Sequence, residues 1–322
     1  MLRIGVIGCA AIARRRMLPA MRAHPGIEIA AVASRDAAKA ADTARQFGCR
    51  PVTGYEKLVA HDEVQAVYVP LPAALHAQWI EAALAAGKHV LAEKPLTTDP
   101  ARTRGLMDMA RARGLTLMEN VMFVHHSQHA AVKRLVDEGV IGELRGFQSG
   151  FTIPALPGDD IRYQPELGGG SLYDVGVYPV RAAVHFLGGN LAVRGAVLER
   201  SPGRQVDTSG AVLLRRDDGV AAHLSFGMEH AYRSRYELTG STGRITVNRA
   251  FTPPADHAPA VTVETSSGTR TVPLSPDDQI ANTLSAFVSS VRTGATSHSD
   301  CLAQADLLAA VLRAAGRPRD EG

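Results

Sequence analysis

The sequence predicts an α/β protein in two domains. Residues 1–124 form a parallel sheet with helices on both faces, and residues 125–322 an α+β domain with an open, mainly antiparallel sheet. Three observations carry this. Over about the first 120 residues, short apolar runs alternate with helical patterns, and the runs are β-branched without polar alternation, as in strands buried on both faces. Beyond about residue 124 the strands lengthen and alternate apolar with polar residues, as strands with one solvated face do. Finally, 322 residues are enough for two domains at roughly 150 residues each.

The elements follow in order. Residues 4–7 are an apolar strand closed by Gly8, and 11–21 a helix. A strand at 27–33 leads to a helix at 37–47, then a buried strand at 64–69 and a helix at 75–86 stopped by Gly87. A strand at 89–92, a helix at 100–113 stopped by Gly114, and a strand at 115–118 complete the first domain. In the second, a helix at 127–137 precedes strands at 144–152, 191–199, 211–215, 220–226, 236–239, 245–247 and 261–264. Asp217-Asp218-Gly219 reads as a hairpin turn, and helices are expected at 171–186, 277–291 and 300–314.

Composition excludes several function classes. Hydrophobic residues at 45% and charged residues at 21% describe a globular chain, so disorder and coiled coil fall away. Thirty-five basic against 32 acidic residues leave a net charge of only +3, too little for a nucleic-acid-binding surface. No apolar run reaches membrane-spanning length. Cys9, Cys49 and Cys301 are too few and too scattered for a disulfide framework, which points to a reducing compartment and a cytoplasmic protein. Arginine is the default cation, with lysine only at 39, 57, 88, 94 and 133, so a lysine inside a pocket-forming motif hints at chemistry that arginine cannot do.

Gly8-Cys9-Ala10-Ala11-Ile12-Ala13, at the first strand–helix junction, reads as a GxGxxA dinucleotide fingerprint with Ala10 for the middle glycine. Gly8 allows the tight turn, Ala10 lets a pyrophosphate approach, and Ala13 lets the helix pack close to the sheet. At the end of the second strand, Ser34-Arg35-Asp36 offers a hydroxyl and a guanidinium where NAD-binding proteins usually place an acid. Arginine binds phosphate through two donors, so NADP is expected over NAD. In the plainer reading Ser34 or Asp36 simply caps the next helix.

Glu93-Lys94-Pro95 ends the strand at 89–92, on the side where parallel strands face a cofactor crevice, which puts Lys94 near a nicotinamide. Farther on, Gly168-Gly169-Gly170 lead into a helix in which Asp174 and Tyr178 lie four residues apart and share a face. His125 and His129 have the spacing of a helical metal pair, but no partner accompanies them and no metal is expected.

Taken together, residues 8–13, 93–95 and 168–178 resemble the glucose–fructose oxidoreductase/inositol dehydrogenase/rhizopine-catabolism family, as do 66–72 with His76 and 86–90. The resemblance implies a Rossmann domain, a C-terminal open sheet, and hydride transfer between NAD(P) and a sugar-like alcohol or ketone. It implies that Lys94 and Tyr178 line the substrate site, with Asp174 orienting one of them or a sugar hydroxyl. The cofactor would be held by residues 8–13, Ser34, Arg35, Tyr55, Leu71, Pro72, His76, Glu93 and Lys94.

Further segments, 119–129, 151–154, 160–163 and 177–179, are similar to the 3-ketoreductases that act on dTDP-linked deoxysugars. That implies an NADPH-dependent reductase of the C3 ketone of a dTDP-3,4-diketo-2,6-dideoxyhexose. Lys94 or Tyr178 would be the proton donor; Arg162, Tyr163 and Tyr236 would bind substrate. The alternatives are a dehydrogenase of free sugars or trans-dihydrodiols, and a non-catalytic NADP-sensing regulator. An apolar second sheet with helices on one face only implies a homo-oligomer, a dimer or larger.

Overall fold

The computed structural model describes residues 1–295 and 298–316, in two compact units. The first holds Met1–Met122 together with Ile280–His298, the second Phe123–Gln279 and Ser299–Gly322.

In the first unit β1 (Leu2–Ile7) runs into a helix whose opening is a π-helical turn, Ala13–Met17, followed by α1 (Leu18–Ala23). Next come β2 (Ile27–Ser34), α2 (Ala37–Phe47), β3 (Arg50–Thr53), α3 (Tyr55–Val59), β4 (Ala66–Val69), α4 (His76–Ala85), β5 (His89–Glu93), α5 (Pro100–Ala112) and β6 (Leu117–Asn120). Local chemistry fixes the ends. The Asp36 carboxylate accepts the N–H groups of Ala38 and Lys39 at the start of α2, and Gly48 closes it at φ 69°. Asp99 caps α5, whose first residue is Pro100. The six strands are parallel in the order β3-β2-β1-β4-β5-β6, so the strand order reverses between β1 and β4, where such sheets open a ligand crevice.

The second unit contains α6 (Ser127–Asp137), β7 (Leu144–Thr152), a π-helical turn (Leu172–Gly176), α7 (Val177–Leu187), β8 (Leu191–Glu199), β9 (Ser209–Arg216), β10 (Ala221–Gly227), β11 (Arg233–Gly240), β12 (Gly243–Asn248), β13 (Ala260–Thr265) and β14 (Gly268–Pro273). The chain then forms α8 (Gln279–Thr293) and α9 (Ser299–Ala315). The sheet order is β14-β13-β12-β11-β7-β10-β9-β8; β7 and β10 pair in parallel, and the other neighbours are antiparallel.

The domain boundary departs from the expected 124/125. The chain crosses at 122/123, and α8, expected in the second domain, belongs to the first. Leu284, Phe287 and Val288 of α8 are buried in one core with Ile4, Val6, Val32, Tyr68 and Leu91 of the parallel sheet. Each such side chain contributes about 1.5–3 kcal/mol by leaving water, enough to hold the helix there. The expected end of the second domain, 317–322, lies outside the described residues. Among the described residues no helix is long and apolar enough to cross a membrane.

Candidate active site

The first unit builds a cradle at the end of β1. Gly8 turns at φ 105°, and its N–H donates to the Ala33 carbonyl at 2.8 Å. A Cβ on Gly8 would stand 3.0 Å from Leu71 Cδ2 and 3.7 Å from the Tyr55 hydroxyl, so these two side chains border the turn and a larger residue would fill it. Pro72 follows, half-buried, at the start of a short 3₁₀ turn. Cys9, Ala10 and Ile12 are half-buried, Ala11 is exposed and Ala13 is buried. The Cys9 thiol points to the Lys39 carbonyl at 3.6 Å. The open turn and the helical N–H groups behind it fit a dinucleotide pyrophosphate.

At the end of β2, buried Ser34 accepts the Asp36 N–H at 3.1 Å, and its carbonyl accepts the Gly54 N–H at 3.0 Å. Asp36 is therefore the helix cap, and Ser34 stabilises the same turn. Arg35 is exposed and within hydrogen-bonding reach of Tyr55. Burial raises the Tyr55 phenol above its ordinary range, and the Arg35 guanidinium partly offsets that rise. Tyr55 meets the edge of Trp79 at 5.1 Å. A guanidinium and a phenol at this strand end fit a ribose phosphate.

The loop after β5 is gripped from several elements. Glu93 Oε1 accepts the Tyr68 hydroxyl and the Asn120 side-chain amide, both at 2.6 Å, from buried positions on β4 and β6. Glu119 Oε1 accepts the Leu96 N–H at 2.8 Å. Lys94, half-buried, stands between these grips. Burial and the Glu93 carboxylate push the Tyr68 phenol well above its usual range, so it donates and keeps its proton. The expectation that His76 contacts the cofactor is corrected here. The ring is 1% exposed, and its nitrogens face main-chain groups, the Pro95 carbonyl (Nδ1, 2.9 Å) and the Leu71 carbonyl (Nε2, 2.7 Å) among them, so it is buried against the backbone of its neighbouring loops.

In the second unit, Tyr178 lies one residue inside α7, half-buried among Phe151, Phe251 and Phe123, at ring-centre distances of 4.8, 5.7 and 6.0 Å. Asp174 lies in the π-helical turn, which takes five residues to close. Arg162 Nε donates to Asp174 at 2.8 Å and Nη1 to Asp160 at 3.1 Å. Two carboxylates already match this guanidinium, and Asp174 raises its pKa most, so Arg162 is suited to orient Asp174 instead of taking up a diphosphate. The helix is seated by Asp207, whose carboxylate accepts the Ser171 hydroxyl at 2.6 Å and the Leu172 N–H at 2.7 Å. Gly170 is required beside it, because a Cβ there would lie 2.4 Å from Asp207 Oδ1.

Two further expectations are corrected. Tyr236 is fully buried: His129 Nε2 donates to the Ala250 carbonyl at 3.1 Å, so Nδ1 accepts the Tyr236 hydroxyl at 2.9 Å. Alternation along β11 puts Arg233 and Arg235 on the opposite face, where Arg235 pairs with Glu237 at 2.6 Å. Tyr163 is also buried, its ring covered by the Arg204 guanidinium 3.5 Å from the ring centre, so no face is open for a base. His125 ends a 3₁₀ turn and His129 lies in α6, so the two are not one helical pair. Sequence reasoning missed Tyr68, Asn120, Glu119 and Asp207 as supports. Tyr68 lies in a segment that resembled the wider family and Glu119 and Asn120 in one that resembled the ketoreductases, whereas Asp207 carries no local signal.

Comparison with known proteins agrees with this layout. Residues 2–121 match the model of an oxidoreductase family with an NAD-binding Rossmann fold, and residues 129–246 that of the GFO/IDH/MocA C-terminal domain. A dTDP-3,4-didehydro-2,6-dideoxy-alpha-D-glucose 3-reductase from Streptomyces antibioticus is 50% identical over 98% of this chain and 97% of its own. The crystal structure of a 3-ketoreductase from Actinomadura kijaniata, in complex with NADP and TDP-benzene, superposes with a TM-score of 0.95 at 52% identity, covering 97% of both chains. That enzyme was also crystallised with a tyrosine changed to phenylalanine and with a lysine changed to glutamate. More distantly, an NADP(+)-dependent D-xylose 1-dehydrogenase of Haloferax volcanii is 36% identical over 92% of this chain and 91% of its own.

Proposed function

Because the chain belongs to the GFO/IDH/MocA oxidoreductase family, we propose that it is an NADPH-dependent sugar-nucleotide 3-ketoreductase that reduces the C3 ketone of a dTDP-3,4-diketo-2,6-dideoxyhexose. The observation that carries the reading is the whole-length likeness to the Streptomyces antibioticus 3-reductase. The local residues agree with it. The lysine and tyrosine substituted in the Actinomadura kijaniata enzyme are separated by the same number of residues as Lys94 and Tyr178.

When bound, NADPH supplies the hydride. Residues 8–13, Tyr55, Leu71 and Pro72 would hold its pyrophosphate end, and Arg35 with Tyr55 would hold the 2′-phosphate that selects it over NADH. In the proposed reaction the ketone oxygen gains negative charge as its carbon is reduced. The Lys94 ammonium stabilises that charge and, with the Tyr178 hydroxyl, provides the proton that converts the alkoxide to the alcohol. The grips on Glu93 and Leu96 keep the Lys94 backbone fixed through this change. The aromatic setting of Tyr178 fixes its ring, and Arg162 fixes Asp174. A dTDP group adds binding energy remote from the reacting carbon, which a free sugar lacks.

The test is NADPH oxidation with the dTDP-diketosugar generated in situ, beside NADP+ reduction with xylose, glucose and a trans-dihydrodiol. The reading requires turnover of the nucleotide-linked ketone and competition by dTDP. Robust turnover of a free sugar without inhibition by dTDP would establish the dehydrogenase reading instead, and no redox turnover with any of them would favour an NADP-sensing regulator.

We infer self-association through the open face of the second sheet, where Val197 of β8 and Leu213 of β9 are 41% and 38% exposed. Sedimentation at micromolar concentration should show a dimer or larger species, and a monomer would reject this. The same reading makes the protein cytoplasmic, where its nucleotide-linked substrate and NADPH occur together.

A further inference from the structure

We propose that Arg204 is a positioning residue that acts through Tyr163 on the Arg162–Asp174 pair. The inference rests on the reading of Asp174 given above and deepens it, and every residue it uses lies in the second unit. Arg162 and Tyr163 end a short 3₁₀ turn, Ile161–Tyr163, in a long connection between β7 and the π-helical turn. A connection with so little regular structure holds a side chain in place only where other groups tie it down. One tie is to the backbone. The Gly170 N–H donates to the Arg162 carbonyl at 2.9 Å, and a Cβ on Gly169 would stand 2.5 Å from that same oxygen, so glycine is needed for the approach.

The other tie is Tyr163. Its buried ring lies under the Arg204 guanidinium, 3.5 Å from the ring centre, where a cation meets the negative face of the ring. Its hydroxyl accepts the Leu156 N–H at 3.3 Å. Arg204 is itself anchored, since Nε donates to Glu229 Oε1 at 3.2 Å and Nη1 to the Gly158 carbonyl at 3.4 Å. Hydrogen bonds from Ser201, Arg204 and Tyr163 hold the Glu229 carboxyl below its usual range, so it stays an ionised acceptor for all three. The loop between β8 and β9 therefore supports the pair at both members. Arg204 grips Tyr163, next to Arg162, while Asp207 of the same loop seats Ser171 and Leu172, just before Asp174.

A double-mutant cycle on the full chain tests the path. Arg204→Met keeps the apolar stem and removes the cation and its donors; Arg162→Met removes the next link. The measurements are single-turnover hydride transfer to the dTDP-diketosugar at saturating NADPH, well below the melting temperature, and NADPH dissociation constants. Arg204→Met should slow transfer about tenfold and leave NADPH binding within about twofold of native. In the Arg162→Met background the same change should slow transfer by no more than about twofold, because the link it acts through is already gone. Native transfer in Arg204→Met, or a further tenfold loss in the double variant, would overturn the proposal and leave Arg204 a structural residue. If Arg204→Met does not fold, Tyr163→Phe takes its place in the cycle. It keeps the ring under the guanidinium but loses the hydroxyl bonds, and should slow transfer about threefold alone and not at all beside Arg162→Met; a native rate alone would overturn the proposal. Asp174→Asn in parallel separates the two readings. Native transfer there would overturn the role of Asp174, whereas a loss there with native transfer in Arg204→Met would overturn only that of Arg204.

Discussion

The loop that carries Lys94 and the helix that carries Tyr178 hold their key side chains by different physics. Around Lys94 the supports are short, directional hydrogen bonds from buried groups on β4, β6 and α4, several made to main-chain atoms. Around Tyr178 they are three phenylalanine rings, with Asp207 seating the start of the helix. Hydrogen bonds fix an atom along one direction and fail singly. Ring packing fixes a plane, is shared among many weak contacts, and is indifferent to the tyrosine hydroxyl. A charge that must meet a developing alkoxide benefits from the first kind of support.

The largest test of this contrast is Lys94→Met, which should slow turnover about a hundred-fold or more with little change in NADPH binding. Tyr178→Phe keeps the ring contacts with Phe123, Phe151 and Phe251, so its melting temperature should stay within a few degrees of the native value while turnover falls about tenfold. If Tyr178→Phe also melted several degrees lower, the ring packing would not be what holds the helix. Asp207→Ala removes a half-buried acceptor from Ser171 and Leu172 and should cost about 1–3 kcal/mol, seen as a lowered melting temperature, with turnover reduced through the displaced helix start. Full stability in that variant would remove Asp207 from the account.

How much of this was legible in the sequence depends on distance along the chain. Gly8, the Glu93-Lys94-Pro95 strand end and the glycine run before Asp174 are local patterns, and their elements formed where expected. β3 (Arg50-Pro51-Val52-Thr53) and β14 were missed, because each is largely exposed and carries little hydrophobic signal. The return of α8 to the first unit and the Asp207 cap depend on long-range packing that no local pattern encodes. A π-helical turn likewise leaves no mark in residue spacing. Tyr236 differs, because its signal was available. Period-two alternation sets it on the face opposite Arg233 and Arg235, as befits a core position of the strand.

Smaller effects sharpen the comparison. His129 is buried and His185 half-buried in the second unit, where desolvation holds His129 well below its usual range and brings His185 down to about 4. As pH falls below about 6.5, the unfolded chain binds protons that these folded histidines refuse. Stability should therefore be full near pH 7 and decline on acidification toward 4, which melting curves at pH 7 and 5 would show. A flat profile would mean that the cluster titrates freely. Outside both regions, Arg35→Asp should weaken NADPH several-fold and leave or improve NADH binding, without altering either support. Equal affinity of the native protein for the two cofactors would remove the basis for that expectation.

The central claim is that this chain sends a hydride to C3 of a nucleotide-linked ketosugar. It is tested most directly by following deuterium from NADPH labelled at C4 of the nicotinamide, on each face in turn, into the product formed from the dTDP-diketosugar. The account predicts label from one face at C3 of the dTDP-linked product, and loss of that labelling rate in Lys94→Met. Deuterium at another carbon, or NADPH oxidised at the same rate without the dTDP sugar, would contradict it.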